Sequence, residues 1–320
     1  MGLNNTSGIS VVMPVKNGAA FIPALSRSLN SNLGIYDEVL VIDDHSDDNS
    51  LQELNYWAKN NEKVRVLQNK GHGIVDALNF GVSESRNSWV ARFDVDDLYV
   101  SNRLESQRLF LKPGRVAIFS DYSFFSDTHN NLGSIQSGIT NNVTKLSLVS
   151  GQRTAHSSAI FNKSAFEYAG EYRKEDFPAE DLSLWLRLSR LGEFYSVPEI
   201  LMKYRIGSNT VTSTKRSESI SKKVKLFKEI GIENSVIENA IYEWSETLSI
   251  YKEFENETRR KILFLRDIMQ ISKIKDKSWL GLIKSHGLTP NSIINPQSLS
   301  AIKDLYLEKR LRNQVRAKLK

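Results

Sequence analysis

A chain of 320 residues, 40% hydrophobic and 25% charged, has the composition of a globular protein with material for two domains, or one large domain and an extension. It has no cysteine, which excludes disulfides and thiolate chemistry and suits a reducing cytosol. The net charge of +6 is uneven: residues 1–212 carry 21 Lys and Arg against 24 Asp and Glu, and residues 213–320 carry 22 against 13.

No run of apolar residues approaches the roughly 18 needed to span a bilayer. Met1 to Ser10 lacks a basic start and an apolar core, so it does not read as a secretory signal. Gly2 and Thr6 fit a loose myristoylation pattern that is short enough to arise by chance. The basic C-terminal third reads either as a surface for an anionic partner or as a solvated helical face.

Ile9–Val15 (ISVVMPV) is a β-branched apolar run and reads as a buried strand, followed by a turn at Lys16-Asn17-Gly18 and a helix over Ala20–Leu29. Glu38–Ile42 is a second buried strand, stopped by Asp43-Asp44-His45-Ser46. Asp47–Asn60 is a helix that Ser46 or Asp47 could cap. Val64–Leu67 and Trp89–Phe93 are further strands, separated by a helix over Gly73–Ser85. This alternation predicts a mostly parallel sheet with helices on both faces, a Rossmann-like α/β arrangement that binds ligands beyond the carboxyl ends of its strands.

After about residue 115 the pattern changes. Ala117–Phe119 and Tyr122–Phe125 read as strands, Asp127–Asn142 as loop, and Ala179–Leu191 as a helix. From Lys215 onward the segments are amphipathic and helical, ending in a basic stretch over Leu305–Lys320. The boundaries that follow are 1–212, divided at 115/116, and a helical extension over 213–320.

The polar residues gather at the predicted strand ends. If Asp94 ends a strand, its period of two places Asp94 and Asp96 on one side, where two carboxylates can hold a hard divalent cation; Asp97 would point elsewhere, in a supporting role. The alternative is an acidic loop capping the next helix. Asp43 and Asp44 could accept hydrogen bonds from a base or a ribose, cap a helix, or serve as a phosphoacceptor. Glu180-Asp181 could offset a helix dipole or supply a base for an attacking hydroxyl. Trp185, one turn on, could stack on a sugar or fill the core. His156 could meet an acceptor or a diphosphate, or be structural. Gly71, Gly73 and Gly81 match a dinucleotide fingerprint poorly, because they follow the third strand. No hydrolase constellation or RNA-binding aromatic platform is present, and nucleic acid is not an expected partner.

Taken in order, VVMPVKNG, VIDDHSDDNS, GHGIVDALNFGV, WVARFDVDDLYVSNRLESQ and HSSAIFNKSAFEYAGEYR with PAEDLSLWLRLSRLGEFYSVPEILMKYR resemble the family-2 glycosyltransferases of GT-A fold, across residues 9–212. The resemblance, of the bacterial surface-polysaccharide and lipopolysaccharide type, implies a catalytic domain over 1–212, with a nucleotide-binding half over 1–115 and an acceptor half over 116–212. It implies that Asp44, with Asp43, meets the base, and that Pro14, Val15, Asn17 and Asn79 line the nucleotide cleft. Asp94 would contact the ribose or the metal, and Asp96 would be the principal ligand of Mn2+ or Mg2+. Asp181 would be the catalytic base, and Arg205 would face the diphosphate. The family often carries a histidine just after that arginine; here Ile206-Gly207-Ser208 follow, so no third ligand is expected there.

The implied activity is an inverting, metal-assisted transfer of a hexose or N-acetylhexosamine from a nucleotide sugar, expected to be a UDP sugar, to a saccharide or lipid-linked acceptor. The rivals are a nucleotidyltransferase, which usually needs a richer basic glycine loop after the first strand, and a non-catalytic carbohydrate- or nucleotide-sugar-binding protein. The basic extension suggests a cytoplasmic protein docked peripherally on the inner membrane face; homodimerisation or a lid is the equal alternative.

Overall fold

The computed structural model describes residues 7–132, 134–135, 137, 144, 148, 154–206 and 214–229. The expectations for the far N-terminus, for residues 230–320 and for the basic stretch over 305–320 fall outside the described residues.

The uninterrupted apolar runs form the centre of a nine-stranded sheet ordered β3-β2-β1-β4-β8-β6-β9-β5, with β7 pairing β6. Strands β1 (Ile9–Val15), β2 (Glu38–Asp43), β3 (Val64–Gln68) and β4 (Trp89–Arg92) pair in parallel. They are joined by α1 (Ile22–Asn30), α2 (Ser50–Asn60) and α3 (Ile74–Glu84). Both faces of such strands are covered, which is why they read as continuous rather than alternating runs. Val11, Met13 and Val15 enter a core with α1 and α2; Val12 points the other way, into a core with α3. A Cβ on Gly81 would lie 2.5 Å from Val12 Cγ1, so the glycine lets α3 press against the sheet.

Helix α2 starts later than expected and is not capped by Ser46 or Asp47. Both residues are held by the β1–α1 turn: Asn17 N donates to Ser46 Oγ at 3.0 Å, and Asn17 Oδ1 accepts from Asp47 N at 2.9 Å. Asp48 Oδ1 instead accepts from Ser50 N at 2.8 Å.

Beyond β4 the sheet is mixed. The remaining strands are β5 (Leu98–Tyr99), β6 (Arg115–Phe125), β7 (Ser134–Ile135), β8 (Ile160–Asn162) and β9 (Glu193–Arg205). Strand β8 is antiparallel to both β4 and β6, β6 runs parallel to β9, and β5 closes antiparallel on the end of β9. The two strands expected over 117–125 are one, with register shifts on either side of Asp121. The first of those shifts faces Pro198 and Glu199, since Ser120 pairs with Val197 and Asp121 with Ile200, and the second faces Leu201. A proline cannot donate to the ladder, and an irregularity accommodates it.

Short helices α4 (Arg103–Arg108) and α5 (Lys163–Tyr168) follow β5 and β8, α6 (Glu180–Leu188) precedes β9, and α7 (Arg216–Glu229) follows it. The helix α7 lies where the basic extension was expected to turn helical. Among the described residues no helix is long and apolar enough to cross a membrane.

Candidate active site

The site lies at the carboxyl ends of β1, β2 and β4. Pro14 pairs with β2 but lies past the β4 register, which ends at Val12 opposite Arg92, so its missing N–H costs no bond to β4. Val15 O accepts from Asp44 N at 2.7 Å. Asn17 follows with φ 53°, a region open to asparagine, and ties this turn to the β2–α2 loop.

Asp43 is buried. Its Oδ2 accepts from Gln68 Nε2 at 3.0 Å and from Ser46 N at 3.3 Å, while Oδ1 has no partner among the described residues. A buried acceptor left in this state is the atom most open to a ligand donor. Asp44 is committed inward: Gly73 N donates to its carboxylate at 3.0 Å, and Asn69 Nδ2 donates to Oδ1 at 2.6 Å. Gly73 has φ 87°, so this glycine lets the β3–α3 turn wrap around Asp44, while Gly81 lies within α3 against the sheet.

Strand β4 stops at Arg92, and Asp94, Asp96 and Asp97 lie in the turn before β5. Turn geometry, not the strand period, therefore brings Asp94 and Asp96 together. Arg92 is buried, with Nη1 2.6 Å from Asp94 Oδ1. Burial opposes its charge, but Asp94 and Tyr99 outweigh burial and raise its pKa. Asp94 N also donates to the Tyr99 hydroxyl at 2.6 Å. Asp96 has no such cation against it: burial first, then Asp94, pushes its carboxyl up to about 6. Asp97 is a buried strut, accepting from Ser157 Oγ at 2.6 Å and from Arg205 N at 2.9 Å.

Arg205, at the end of β9, donates from Nε to Asp96 O at 2.8 Å, pairs with Asp127, and lies over the rings of Phe21 and Phe125. Its guanidinium thus stands beside the acidic turn. Arg103, fully buried beneath the turn, donates to Arg92 O at 3.1 Å and stacks on Phe93 at 4.0 Å.

On the acceptor side, α6 opens with Glu180 and Asp181. Glu180 is buried, and burial with Asp181 pushes its pKa up to about 7. Asp181 is half-buried; its Oδ1 accepts from Leu182 N at 2.6 Å. Trp185 does not present a ring face to a sugar. It is 0% exposed, edge-on to Phe119 at 5.1 Å, and belongs to the core. Its position one turn from Asp181 marks the buried stripe of α6. His156 Nε2 lies 2.7 Å from the Tyr172 hydroxyl. Burial first, and Arg92 second, lower its pKa well below the usual value, so this neutral ring does not bring a cation to a diphosphate. Asn79 spends both ends of its carboxamide on Tyr172, donating to O at 2.9 Å and accepting from N at 3.1 Å. It ties the two halves of the molecule together.

The two acidic pairs share one site. Arg92 stabilises the charged forms of both Asp96 and Glu180, and the Asp94 carboxylate acts on Glu180 and Tyr172. Sequence reasoning passed over Arg92 and Tyr172. The arginine had a signal, a lone charge inside the apolar segment WVARF; Tyr172 had none.

Residues 10–168 match the model of glycosyl transferase family 2, and the chain is a family-2 glycosyltransferase. The fold is the GT-A type. The amylovoran biosynthesis glycosyltransferase AmsE of Erwinia amylovora is 28% identical over 195 residues, covering 60% of this chain and 73% of that one. Among solved structures, Staphylococcus aureus TarS 1–349 in complex with UDP-GlcNAc superposes with a TM-score of 0.63 at 15% identity, over 88% of this chain and 93% of that one. The mannosyltransferase PcManGT of Pyrobaculum calidifontis, in complex with GDP-Man and Mn2+, gives 0.56 at 13% identity, over 96% and 86%.

Proposed function

We propose that the protein transfers a hexose or N-acetylhexosamine from a UDP sugar to a hydroxyl of a saccharide or lipid-linked acceptor, inverting the anomeric centre, in the synthesis of a surface glycan. The observation that supports this reading is the mutual charge influence of Asp94, Asp96, Arg92 and Glu180-Asp181 across the two halves, the first pair taken here to hold a cation and the last to supply a base. The UDP-GlcNAc held by TarS, the GDP-Man and Mn2+ held by PcManGT, and the biosynthetic name of AmsE support it.

In this reading the base lies at the end of β2, where Asp43 keeps an unsatisfied acceptor, with Asp44 behind it shaping the loop and Pro14, Val15 and Asn17 forming the wall. The donor set of the acidic turn is of the kind that takes a hard divalent ion: two carboxylates close enough to feel each other's charge, of which only Asp94 is paired directly with Arg92. Asp96, with Asp94, would hold Mn2+ or Mg2+, which when bound offsets charge on the departing diphosphate. Arg205 supplies a second positive charge beside it. Asp181 takes the proton of the acceptor hydroxyl as that oxygen bonds to the anomeric carbon, and the bond from that carbon to the diphosphate oxygen breaks. One displacement from the face opposite the nucleotide gives inversion. We place the protein in the cytoplasm, with its basic extension against the anionic inner leaflet or a second copy.

A screen of nucleotide sugars with Mn2+, scored by release of nucleoside diphosphate, tests the reading. The expected result is release from one UDP sugar that Asp96→Ala lowers at least about a hundredfold. No release from any nucleotide sugar, with or without acceptor glycans, overturns it.

A further inference from the structure

The β2–α2 and β3–α3 loops place two imidazoles and a carboxylate together outside the acidic turn. Among the described residues, Asp44, His45 and His72 are the one group of three potential ligands whose coordinating atoms all lie within 4.8 Å of one another. We propose that they form a site for a borderline transition ion, Zn2+ or Co2+, separate from the hard-cation pair Asp94 and Asp96.

The chemistry of the donors argues for that class of ion. Two imidazoles and one carboxylate suit Zn2+ and its neighbours and leave a coordination position open, whereas Mg2+ and Mn2+ favour oxygen sets such as the acidic turn. The residues are also held in place. His45 sits at φ 58°, a left-handed backbone that few side chains adopt, which turns its ring back over the β3–α3 turn. Its Nε2 lies 3.0 Å from Gly71 O, so the proton belongs on Nε2 and Nδ1 keeps its lone pair, the second-sphere arrangement of a ligating histidine. Gln68 Nε2 stands 3.3 Å from that Nδ1 and also donates to Asp43, so it can yield without losing every partner. The His72 ring is 4.5 Å from that of His45, tilted by 34°, and its backbone N–H is fixed by Asp76 Oδ2 at 2.9 Å. The Asp44 carboxylate is oriented by Gly73 and Asn69. Both rings are exposed, so an ion enters without rearrangement of the core.

The site does not depend on the transfer reaction, and its test needs no substrate. Untagged, full-length protein is titrated with Co2+, followed by visible absorption, and with Zn2+ in competition with a chromophoric chelator. One equivalent should bind with a nitrogen-ligand spectrum. His72→Gln, an exposed change, and His45→Asn, which keeps a residue at home in the left-handed region, should each weaken binding about tenfold or more. Asp96→Asn should leave both titrations unchanged. Absence of a saturable equivalent in the wild type, or binding that both histidine variants retain, overturns the site. Loss of binding in Asp96→Asn alone assigns the ion to the acidic turn and overturns it equally.

Discussion

Arg92 places its guanidinium 2.6 Å from the carboxylate of Asp94 with only 3% of its own side chain exposed. The pair divides the labour of the acidic turn. Asp94 is paired directly with a fixed cation inside the fold, whereas at Asp96 burial and the Asp94 charge outweigh the more distant Arg92 and Arg205 and leave its carboxyl raised.

Removing that cation should be costly. Arg92→Met strands Asp94 and takes positive charge from Asp96 and Glu180 at once. Breaking a buried pair from one side costs roughly 3–5 kcal/mol, and Asp94 keeps some solvent contact, so a loss of about 3 kcal/mol in urea denaturation is expected, with part restored in Arg92→Lys. A loss below about 1 kcal/mol would remove the pair from the scaffold.

The raised carboxyls set a pH dependence. Asp96 at about 6 and Glu180 at about 7 bind more protons in the native state than in the unfolded chain, where carboxyls titrate near 4. The ion-free protein therefore loses stability as pH climbs from about 4 to about 7, and keeps the deficit above that window. Asp96→Asn and Glu180→Gln should each raise ion-free stability at pH 8 by about 1–3 kcal/mol and flatten the fall. Affinity for Mn2+, which needs Asp96 ionised, should drop about tenfold per unit below pH 6. Calorimetry across pH 5–7 with no change in affinity would contradict the assignment.

Asn79 offers a way to separate the halves. Asn79→Ala removes two hydrogen bonds to the Tyr172 backbone, leaving an N–H and a carbonyl without them, at an expected cost of about 2 kcal/mol. Because the contact joins α3 to the acceptor half, the acceptor KM should rise several-fold while UDP binding stays within about twofold. A loss of UDP affinity larger than the loss of acceptor affinity would instead return Asn79 to the nucleotide cleft.

Much of the nucleotide half is legible in the sequence because its parallel strands are buried on both faces. ISVVMPV can be little else, and β1 spans Ile9–Val15 as read. The acceptor half is less legible. Strand β9 hides behind Pro198, and β6 is broken in appearance by Ser120-Asp121, polar residues at a register shift that only the pairing with β9 reveals. At the site, residue types could be read but not their partners. The sequence puts Asp43 and Asp44 side by side; only the fold shows that Gly73 and Asn69 occupy Asp44 while Asp43 keeps an unsatisfied oxygen. Trp185 shows the same limit from the other side. Helical spacing places it near Asp181, and nothing in that spacing tells a cleft from a core.

The central claim is that Asp181 takes the acceptor proton in the site it shares with the donor machinery, without itself holding the donor. Asp181→Asn removes the base and keeps the shape, and a positioned general base is worth about 10²–10⁴ in rate. The decisive measurement is transfer rate beside donor affinity in that one variant: turnover should fall at least about a hundredfold, with UDP-sugar affinity by calorimetry within about twofold of the wild type. Transfer at the wild-type rate, or a donor affinity that collapses in step with it, would contradict the account.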